Sequence, residues 1–554
     1  MTLTCLKNGR VIDPAGGVDA VADLWFEDER IVAAPAALAA ARVIDCAGMV
    51  LMAGGIDLHT HIGGGKVNIA RTLLPEDHAP LGFESDIPLR STCGHAATPT
   101  LAAGYRYAQM GYTACFEPAM LPTNARQAHL EMGDTPIVDH GAYAMLGSDD
   151  FLLRLLAAGA PQAKVDDYVA WTLAATQAMG IKVVNPGGIS AFKFNRRAFD
   201  LDDAHPHYGV TPRRILQALA RAVANLGVPH PLHVHASNLG AAGNLATTLA
   251  TMAAVEGLPL HLTHVQFHSY GAEGELGFSS GAAQIAEAVN RMHNVSIDIG
   301  QIMFGRTVTC SGDSMAQHRN FGHASPRKAV LMDIECDAGC GVVPFRYRDR
   351  SFVNALQWAI GLELFLLVED PWRIVLTTDH PNGAPFTSYP HLIRLLCDKD
   401  FRDAQFARLH PQAQAMSLLP QLRREYSLAE IAIVTRAAPA RLLGLADRGR
   451  LGAGAVADIA VYREQADREA MFAAPARVFK DGVEVVREGR IQAAPQGATH
   501  VVRPPHDRAI ERELAAFFDS HMTQAFAGFA IGDDELREAC NRGGRLHVHP
   551  CARA

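Results

Sequence analysis

Short apolar segments alternate with alanine- and leucine-rich segments through the middle of the chain, between residues 51 and 444. The apolar segments with the composition of strands lie at 180–188, 230–237, 258–268, 294–301 and 372–383. Residues 212–227 and 279–293 instead repeat apolar side chains at helical spacing. Alternating strands and helices build a parallel sheet that is covered by helices. We therefore predict an α/β fold, whose simplest architecture is a closed (β/α)8 barrel.

The two ends of the chain have a different pattern. They contain short apolar runs that are joined by turn signals such as Asn8-Gly9, which is typical of β-strands. Near the C-terminus, residues 508–522 form one amphipathic helical stretch that we expect to pack on the barrel or on a partner. We predict three units: a composite β-domain at 1–50 and 445–500, the barrel at 51–444, and a C-terminal extension at 501–554.

The composition is that of a globular protein with a large core. Hydrophobic residues make up 49% and charged residues 19% of the 554 residues, and the net charge is −8. This acidic balance does not favour nucleic acid or an anionic membrane surface as a partner. The N-terminus lacks the pattern of a signal peptide, and the ten cysteines form no Cys-x-x-Cys motif. We therefore expect a cytoplasmic protein with reduced thiols.

The segment GGIDLHTHIGG, residues 54–64, follows the apolar run Val50–Met52 and spaces Asp57, His59 and His61 two residues apart. Alternate residues of a strand point to the same face, so these polar side chains should lie together at the end of a buried strand. They need partners there, because an unpaired buried polar group is costly. Two neighbouring imidazoles suit a transition metal that prefers nitrogen ligands, most often zinc.

Several later strands also end in metal-binding residue types, at the position where catalytic residues of a (β/α)8 barrel lie. In chain order these residues are Lys182, His233 and His235, His261, His264 and His268, and Asp379. Because each group comes from a different strand, a closed barrel would bring them to one face together with His59 and His61.

The order of these residues resembles that of the amidohydrolase superfamily, and specifically of its members with a two-zinc centre. The resemblance implies a ligand set for two Zn²⁺ ions: His59, His61 and Asp379 on the first ion, N6-carboxylysine at Lys182 as the bridge, and His235 and His264 on the second ion.

The resemblance also implies a role for each residue type. A lysine ammonium cannot bind a metal, but the addition of CO2 makes Lys182 an anionic carboxylate with two oxygens. The two metals would lower the pKa of a shared water so that it attacks a carbonyl as hydroxide. Asp379 would accept the proton as general base and pass it to the leaving nitrogen as general acid. Asp57 is expected to be a hydrogen-bonding residue rather than a ligand.

Four longer phrases are more specific than the superfamily pattern. They are IKVVNPGG, HVHASNLG, HLTHVQFHSYG and LTTDHPNGAPF. They resemble the A subunits of formylmethanofuran dehydrogenases, a family that interconverts a formamide with formate and a primary amine. TRAAPARLLGL with GRLGAGAVADIAVY is similar to the common amidohydrolase exit from the barrel into the β-domain. Usage of arginine over lysine favours the bacterial version of the family, the hydrolase subunit of a formyltransferase/hydrolase complex.

The resemblance thus implies a subunit of a larger complex that cleaves the N-formyl group of a methanofuran-type C1 carrier to formate and free amine. A formamide at the end of a long carrier arm suggests a narrow channel with basic residues near its mouth. Arg106, Arg154 and Arg306 are the candidates for this role. We expect no nucleic acid or membrane as a partner.

Some positions leave alternatives open. Lys193 is a rival of Lys182, but it lies in a predicted loop. His233 competes with His235, which we prefer because it is nearer to the carboxyl end of its strand. For His261, the odd spacing from His264 predicts a structural residue on the opposite face of the strand.

Other polar residues near the predicted ligands are assigned smaller roles. We predict that Asn185, Asn238 and His268 contact the substrate, although either asparagine could instead orient a turn. The remaining pairs are predicted to have no function: His205 and His207 in a surface loop, His547 and His549 in another, and Cys336 and Cys340 in a turn.

Two other functions fit the same metal ligands. One is a cyclic-amide hydrolase of the dihydroorotase or hydantoinase type. The phrases VQFHSYG and DHPNGAPF argue against it. The other is a scaffold subunit that has lost catalytic activity, but the intact ligand set argues against it.

Overall fold

The computed structural model describes residues 3–35, 41–74, 94–193, 199–274, 277–311, 330–334, 338–540 and 544–551. Five strands precede the barrel: β1 (Leu3–Asp13), β2 (Val18–Glu27), β3 (Arg30–Val32), β4 (Arg42–Asp45) and β5 (Met49–Ala53). The strands of the barrel and of its connections follow: β6 (Gly55–Asp57), β7 (Tyr112–Met120), β8 (Asp139–Leu146), β9 (Gly180–Val184), β10 (Leu232–His235), β11 (Leu260–Leu262), β12 (Tyr270–Gly271), β13 (Ser279–Ser280), β14 (Val295–Asp298), β15 (Gly305–Ser311), β16 (Val330–Ile334), β17 (Ala338–Tyr347) and β18 (Ile374–Val375). The last strands are β19 (Ile459–Arg463), β20 (Arg477–Lys480), β21 (Val483–Arg487), β22 (Arg490–Ile491), β23 (Thr499–Val502) and β24 (Leu546–His549).

Helices connect most of these strands. The α-helices of the described residues are Gly65–Thr72, Thr100–Gln109, Ala125–Gly133, Asp150–Ala157, Gln162–Thr176, Gly188–Lys193, Pro212–Asn225, Leu245–Ala254, Ala282–Arg291, Phe352–Leu367, Tyr389–Cys397, Lys399–Phe406, Pro411–Ala415, Leu428–Ala432, Ala438–Leu443, Arg468–Ala473, Ala509–His521 and Asp533–Glu535. None of the helices in the part of the chain that the structure describes is long and apolar enough to cross a membrane.

Eight strands form the barrel in the order β6-β7-β8-β9-β10-β11-β14-β18, and every neighbouring pair is parallel. A parallel bridge between Thr60 and His380 joins the last strand to the first, and the His61 N–H donates to the His380 carbonyl at 2.8 Å. The predicted (β/α)8 architecture is confirmed. Since all eight strands run the same way, their carboxyl ends share one face.

The outer helices have apolar faces that cover this barrel. Helix Pro212–Asn225 begins at a capping residue, Thr211, whose hydroxyl accepts the Arg214 N–H, and its first residue is a proline, which suits that position. Its buried side chains recur at helical spacing and include Ile215, Leu216, Leu219 and Val223. This face packs on the barrel and on the neighbouring helix Gln162–Thr176.

Both chain ends build the second sheet, which has nine strands in the order β22-β21-β20-β19-β5-β1-β2-β3, with β4 paired to β1. The N-terminal and C-terminal halves meet where β19 runs antiparallel to β5. The predicted composite β-domain is therefore confirmed as a structure, whereas the bounds of the three predicted units stay a prediction.

A buried charge cluster connects the two sheets. Asp139 at the start of β8 lies 3.1 Å from the Lys480 ammonium of β20 and 2.8 Å from the Arg448 guanidinium. Burial opposes ionisation of Asp139, but the two cations hold the pKa of its carboxyl well below the ordinary value. Removal of one partner would leave a buried charge uncompensated, so the cluster specifies how the β-domain docks on the barrel.

The C-terminal extension adds to the barrel sheet. The predicted helix over 508–522 forms at Ala509–His521. The prediction that His547 and His549 lie in a surface loop is wrong, because both belong to β24, which pairs in parallel with β23. His549 Nε2 lies 2.7 Å from Nδ1 of His500. The partner strand lies far away along the chain, so local sequence does not reveal the pairing.

Three arginines surround one carboxylate of the composite sheet. Glu484 accepts hydrogen bonds from Arg42 at 2.6 Å, from Arg487 at 2.6 and 2.7 Å, and from Arg477. Partial burial raises the pKa of Glu484, but the bonds from Arg487 and Arg42 and the charge of Arg477 outweigh it and lower the pKa to about 2. The carboxylate thus ties β4 and β20 to β21.

We expect Glu484→Gln to lower the free energy of unfolding at neutral pH by about 1–2 kcal/mol, because the three guanidinium groups lose their shared carboxylate. A carboxyl whose pKa falls on folding stabilises the protein above its unfolded pKa, and this contribution disappears as the pH falls through the folded value of about 2. The deficit of the variant should therefore shrink as the pH is lowered from about 6 to about 3. Denaturant unfolding at both pH values measures it, with exposed Glu287→Gln as the control; an equal deficit at both would contradict the assignment.

Candidate metal centre and active site

All predicted ligands except Lys182 lie at or just beyond the carboxyl ends of their barrel strands. His59 and His61 come directly after β6, His235 ends β10, and Asp379 follows β18. Lys182 is in the middle of β9 and is 2% exposed.

The backbone turns sharply at several of these strand ends. Four residues that lack the freedom of glycine have positive φ there: Asn185 (45°), Asn238 (63°), His264 (37°) and Asp379 (50°). Non-glycine residues rarely adopt this left-handed conformation, and its cost persists only where the surrounding structure imposes it. The turns direct His264 and Asp379 away from the periodicity of their strands.

His59, His61 and Asp379 form the first cluster. The Asp379 Oδ1 lies 3.0 Å from Nε2 of His59 and 3.3 Å from Nε2 of His61. Burial disfavours the charged carboxylate, but the charges of His264 and His59 and the close contacts with His59 and His61 hold the pKa of Asp379 well below its ordinary value. Two imidazole nitrogens and an ionised carboxylate thus converge on one point, as a metal requires.

His235, His264 and His268 form the second cluster. Their ligand atoms lie within 4.8 Å of one another, and so do those of His59, His264 and Asp379. Nδ1 of His264 is buried and has no hydrogen-bond partner in the described ranges. His264 of the second cluster thus also lies beside His59 and Asp379 of the first, so the arrangement can hold two ions side by side.

Lys182 lies close to this centre. Burial is the largest factor that lowers the pKa of both His233 and His264, and the Lys182 charge lowers both further. A buried ammonium beside histidines is unfavourable, and conversion to an anionic carbamate would reverse the sign of that interaction. Lys193, the rival lysine, ends helix Gly188–Lys193, and its side chain lies outside the described residues.

Two carboxylates that the sequence reasoning missed support the histidines from below. Glu117 of β7 lies 2.9 Å from Nδ1 of His61 and accepts the Ile62 N–H at 2.8 Å. Asp298, at the end of β14, lies 3.2 Å from Nδ1 of His59 and accepts the His264 N–H at 2.8 Å. The position of Asp298 at a strand end was a signal that could have identified it, whereas Glu117 lies in mid-strand and gave none.

The structure corrects the prediction for His261. Its Nε2 lies 3.1 Å from Asp298 and its ring centroid 4.8 Å from that of His233, so it points into the barrel interior rather than to the opposite face. The spacing rule failed because β11 ends at Leu262 and the chain turns left-handed at His264. His233 also lies in this interior layer, below His235.

The three predicted substrate residues differ in their surroundings. Both side-chain amide atoms of Asn185 are buried without a hydrogen-bond partner in the described part of the chain. Asn238 instead donates to Asp200 and, at 3.3 Å, to Thr247. The His268 ring stacks on that of His264 with centroids 5.3 Å apart.

The three arginines that are candidates for the channel mouth have different surroundings. Arg106 is buried and donates to the Gly94 carbonyl at 2.7 Å, Arg154 lies over the Phe517 ring, and Arg306 is exposed on β15.

Two further predictions need correction or completion. His205 is 1% exposed rather than on a surface loop, because its Nδ1 accepts the His207 and Tyr208 N–H groups of a tight turn. Cys340 belongs to β17 rather than to a turn, and Cys336 lies outside the described residues.

Asp57 has the supporting role that was predicted for it. Its carboxylate accepts the hydroxyl of Tyr107 at 2.7 Å, the hydroxyl of Tyr389 and the His59 N–H at 3.1 Å. Burial raises the pKa of Asp57 to about 6 despite these bonds. The residue therefore fixes the backbone of the His59 segment.

Comparison with known proteins agrees with this geometry. The A subunit of the formyltransferase/hydrolase complex Fhc of Methylorubrum extorquens is 44% identical over 541 residues, 97% of this chain and 98% of that protein. Protein FwdA of Methanocaldococcus jannaschii is 40% identical over 506 residues, 88% of each chain. A chain in the crystal structure of the FhcABCD complex of Methylorubrum extorquens with methylofuran superposes with a TM-score of 0.93 at 42% identity, over 100% of both chains.

The family model of amidohydrolases matches residues 42–493, which include the barrel and the strands β4, β5 and β19–β22 of the composite sheet. With near-complete coverage by these relatives and the polar cluster at the carboxyl ends of the strands, the chain is a hydrolase that belongs to the amidohydrolase family.

Proposed function

We propose that this protein hydrolyses the N-formyl group of a methanofuran-type C1 carrier to formate and free amine, as the hydrolase subunit of a formyltransferase/hydrolase complex in the cytoplasm. The observation that supports it most is similarity over nearly the whole chain to the A subunit of Fhc and to a chain of the FhcABCD complex. The six cysteines assigned as free in the described residues fit a reducing compartment.

The proposed cofactor is a pair of zinc ions. Their ligands would be His59, His61 and Asp379 for the first ion, carbamylated Lys182 as the bridge, and His235 and His264 for the second, with His268 beside it. The unpartnered Nδ1 of His264 and the convergence of imidazole nitrogens on Asp379 support this choice. When bound, the ions supply an activated water and polarise the formyl carbonyl.

Side chains of the protein would transfer the proton and bind the substrate. Asp379 is held ionised, so it can take the proton of the attacking water and deliver it to the amine as the carbon–nitrogen bond breaks. The Asn382 amide donates to Asp379 Oδ1 at 2.9 Å and orients the carboxylate for this transfer. Asn185, whose side-chain amide is buried without a hydrogen-bond partner in the described residues, would bind a substrate amide or carbonyl at the end of β9.

A cyclic-amide hydrolase remains the alternative with the same ligands. A formamide carried on a long arm requires entry of only its small end, whereas a cyclic amide must enter whole. The relatives that cover this chain almost completely are of the formyl-carrier type, so we retain the formyl group as the proposed substrate.

Asp379→Asn should lower the rate of formate release from N-formylmethylofuran at least 100-fold, because the amide cannot accept the proton. The assay uses the protein co-purified with its partner subunits, and Asp202→Asn, which changes only a surface ion pair with Arg213, is the matched control. Hydrolysis of dihydroorotate or hydantoins without formate release from the formylated carrier would sink the proposal in favour of the alternative. An unchanged rate in the Asp379→Asn variant would indicate that Asp379 has no such role.

Removal of the metal should abolish formate release, and Zn²⁺ should restore it at about two ions per chain. Glu117→Gln should weaken zinc binding about 10–100-fold, because the neutral amide orients His61 less well than the carboxylate. Chelator competition measures this affinity. The control is Glu363→Gln, another buried glutamate, whose carboxylate bonds Ser280 and Ser417. Equal zinc affinity in wild type and Glu117→Gln would contradict the assigned role.

Lys182→Ala should lose most activity, and a short carboxylate such as propionate should restore part of it by occupying the place of the carbamate. Lys164→Ala, which removes a surface lysine that pairs with Glu513, serves as the control. Full activity of Lys182→Ala without added carboxylate would rule out the carbamate bridge.

A further inference from the structure

A chain of three histidines runs from the metal-binding face down through the barrel. Nδ1 of His59 lies 2.9 Å from Nε2 of His233. Nδ1 of His233 lies 2.9 Å from Nε2 of His230. The chain ends where Nδ1 of His230 meets the Leu442 carbonyl at 3.1 Å. All three imidazoles are at most 1% exposed.

The far end of this chain sets the direction of every hydrogen bond in it. A carbonyl oxygen can only accept, so His230 must carry its proton on Nδ1. The Nε2 of a neutral His230 then has a lone pair, and it must accept from a protonated Nδ1 of His233. By the same argument, His233 accepts from a protonated Nδ1 of His59. The lone pair of His59 is thereby left on Nε2, the atom that faces Asp379 at 3.0 Å.

The surroundings support neutral imidazoles below the metal ligands. Burial first, and then the neighbouring His261, lower the pKa of His230 to about 3. The Tyr143 ring stacks on that of His230 with centroids 4.7 Å apart and an interplanar angle of 21°. Its hydroxyl donates to the Leu58 carbonyl at 2.7 Å, which fixes the stacking ring.

Two further groups approach Nδ1 of His59, and both agree with a proton on that atom. The Asp298 carboxylate, 3.2 Å away, can only accept when it is ionised. The Thr263 hydroxyl, also in contact with Nδ1, can accept as well as donate. Asp298 therefore requires the same tautomer of His59 that the histidine chain imposes.

We propose that His230 and His233 are positioning residues that fix the tautomer and the ring orientation of His59, so that its Nε2 lone pair is held toward the first metal ion. This inference rests on the proposed metal ligands. It differs from the support of His61, which a single carboxylate, Glu117, provides. Neutral imidazoles orient a ligand without adding a second buried charge below the centre.

Two variants of His230 separate positioning from packing. His230→Gln retains a polar side chain whose amide oxygen can accept from Nδ1 of His233, whereas His230→Met is of similar size and has only a weakly accepting sulfur. Without a strong acceptor, His233 can move its proton to Nε2 and compete with the Nδ1 proton of His59. We expect His230→Met to raise the Zn²⁺ dissociation constant of the first ion about 10–100-fold and His230→Gln to stay within about threefold of wild type.

The test is chelator competition with Zn²⁺ on the purified complex, accompanied by Tm measurements. The matched control is His129→Met, which removes a buried histidine that bonds the Thr176 carbonyl at 2.9 Å outside the chain of three. Loss of zinc affinity in His230→Met alone, with rescue by glutamine, supports the proposal. Wild-type affinity in His230→Met, or equal losses in His230→Met and His129→Met, would overturn it.

A second measurement needs no variant. In ¹⁵N spectra of the zinc-loaded wild-type protein, His230 and His233 should each be protonated on Nδ1 and unprotonated on Nε2, and the opposite tautomer would overturn the proposal. If the wild type binds two zinc ions and releases formate but these expectations fail, only this inference is wrong. If the wild type binds no zinc, the proposed centre and this inference fall together.

Discussion

The burial of ionisable side chains along the axis of the barrel is the constraint on which the rest of the structure depends. Asp57, Glu117, Asp298 and Asp379 are all at most 3% exposed, and each would be costly without partners. The fold satisfies them with imidazoles, tyrosine hydroxyls and backbone N–H groups from several strands. The candidate ligands thus lie at one end of a set of buried polar side chains, and contacts with these side chains hold them in position.

Left-handed residues complete this arrangement at the strand ends. A regular strand would direct His264 and Asp379 by alternation alone, whereas positive φ at both residues places them beside His59. Such conformations cost of the order of 1–3 kcal/mol each and are retained where the surrounding structure imposes them. The backbone also has positive φ at Asn185 and Asn238, and asparagine tolerates this conformation better than most residues.

Specific contacts hold the composite sheet and the C-terminal strands against the barrel. The Asp139 cluster binds the barrel to the composite sheet at the end opposite to the ligands. The relative that covers 97% of the chain matches the extension as well as the barrel. The extension is therefore shared with that relative.

The sequence by itself determined the barrel, the composite sheet and the candidate ligands. Strand-helix alternation and residue type at strand ends are local signals. His59, His61, His235, His264 and Asp379 lie at or just beyond such ends, whereas Lys182 lies in the middle of β9. These residues meet in the structure because parallel strands of one barrel end on the same face. Their role as ligands stays a prediction.

Only the tertiary structure decided what lies beneath and around the ligands. Glu117, Asp298 and the chain from His59 to Leu442 depend on pairings between strands that are distant in sequence, and the direction of a hydrogen bond is set by its neighbours. The sequence misplaced His261 because alternation holds only while a strand lasts, and it missed β24 because its pairing strand lies more than 40 residues earlier. The local pattern predicts which type of residue stands at each strand end, whereas packing across the barrel determines which residue it contacts.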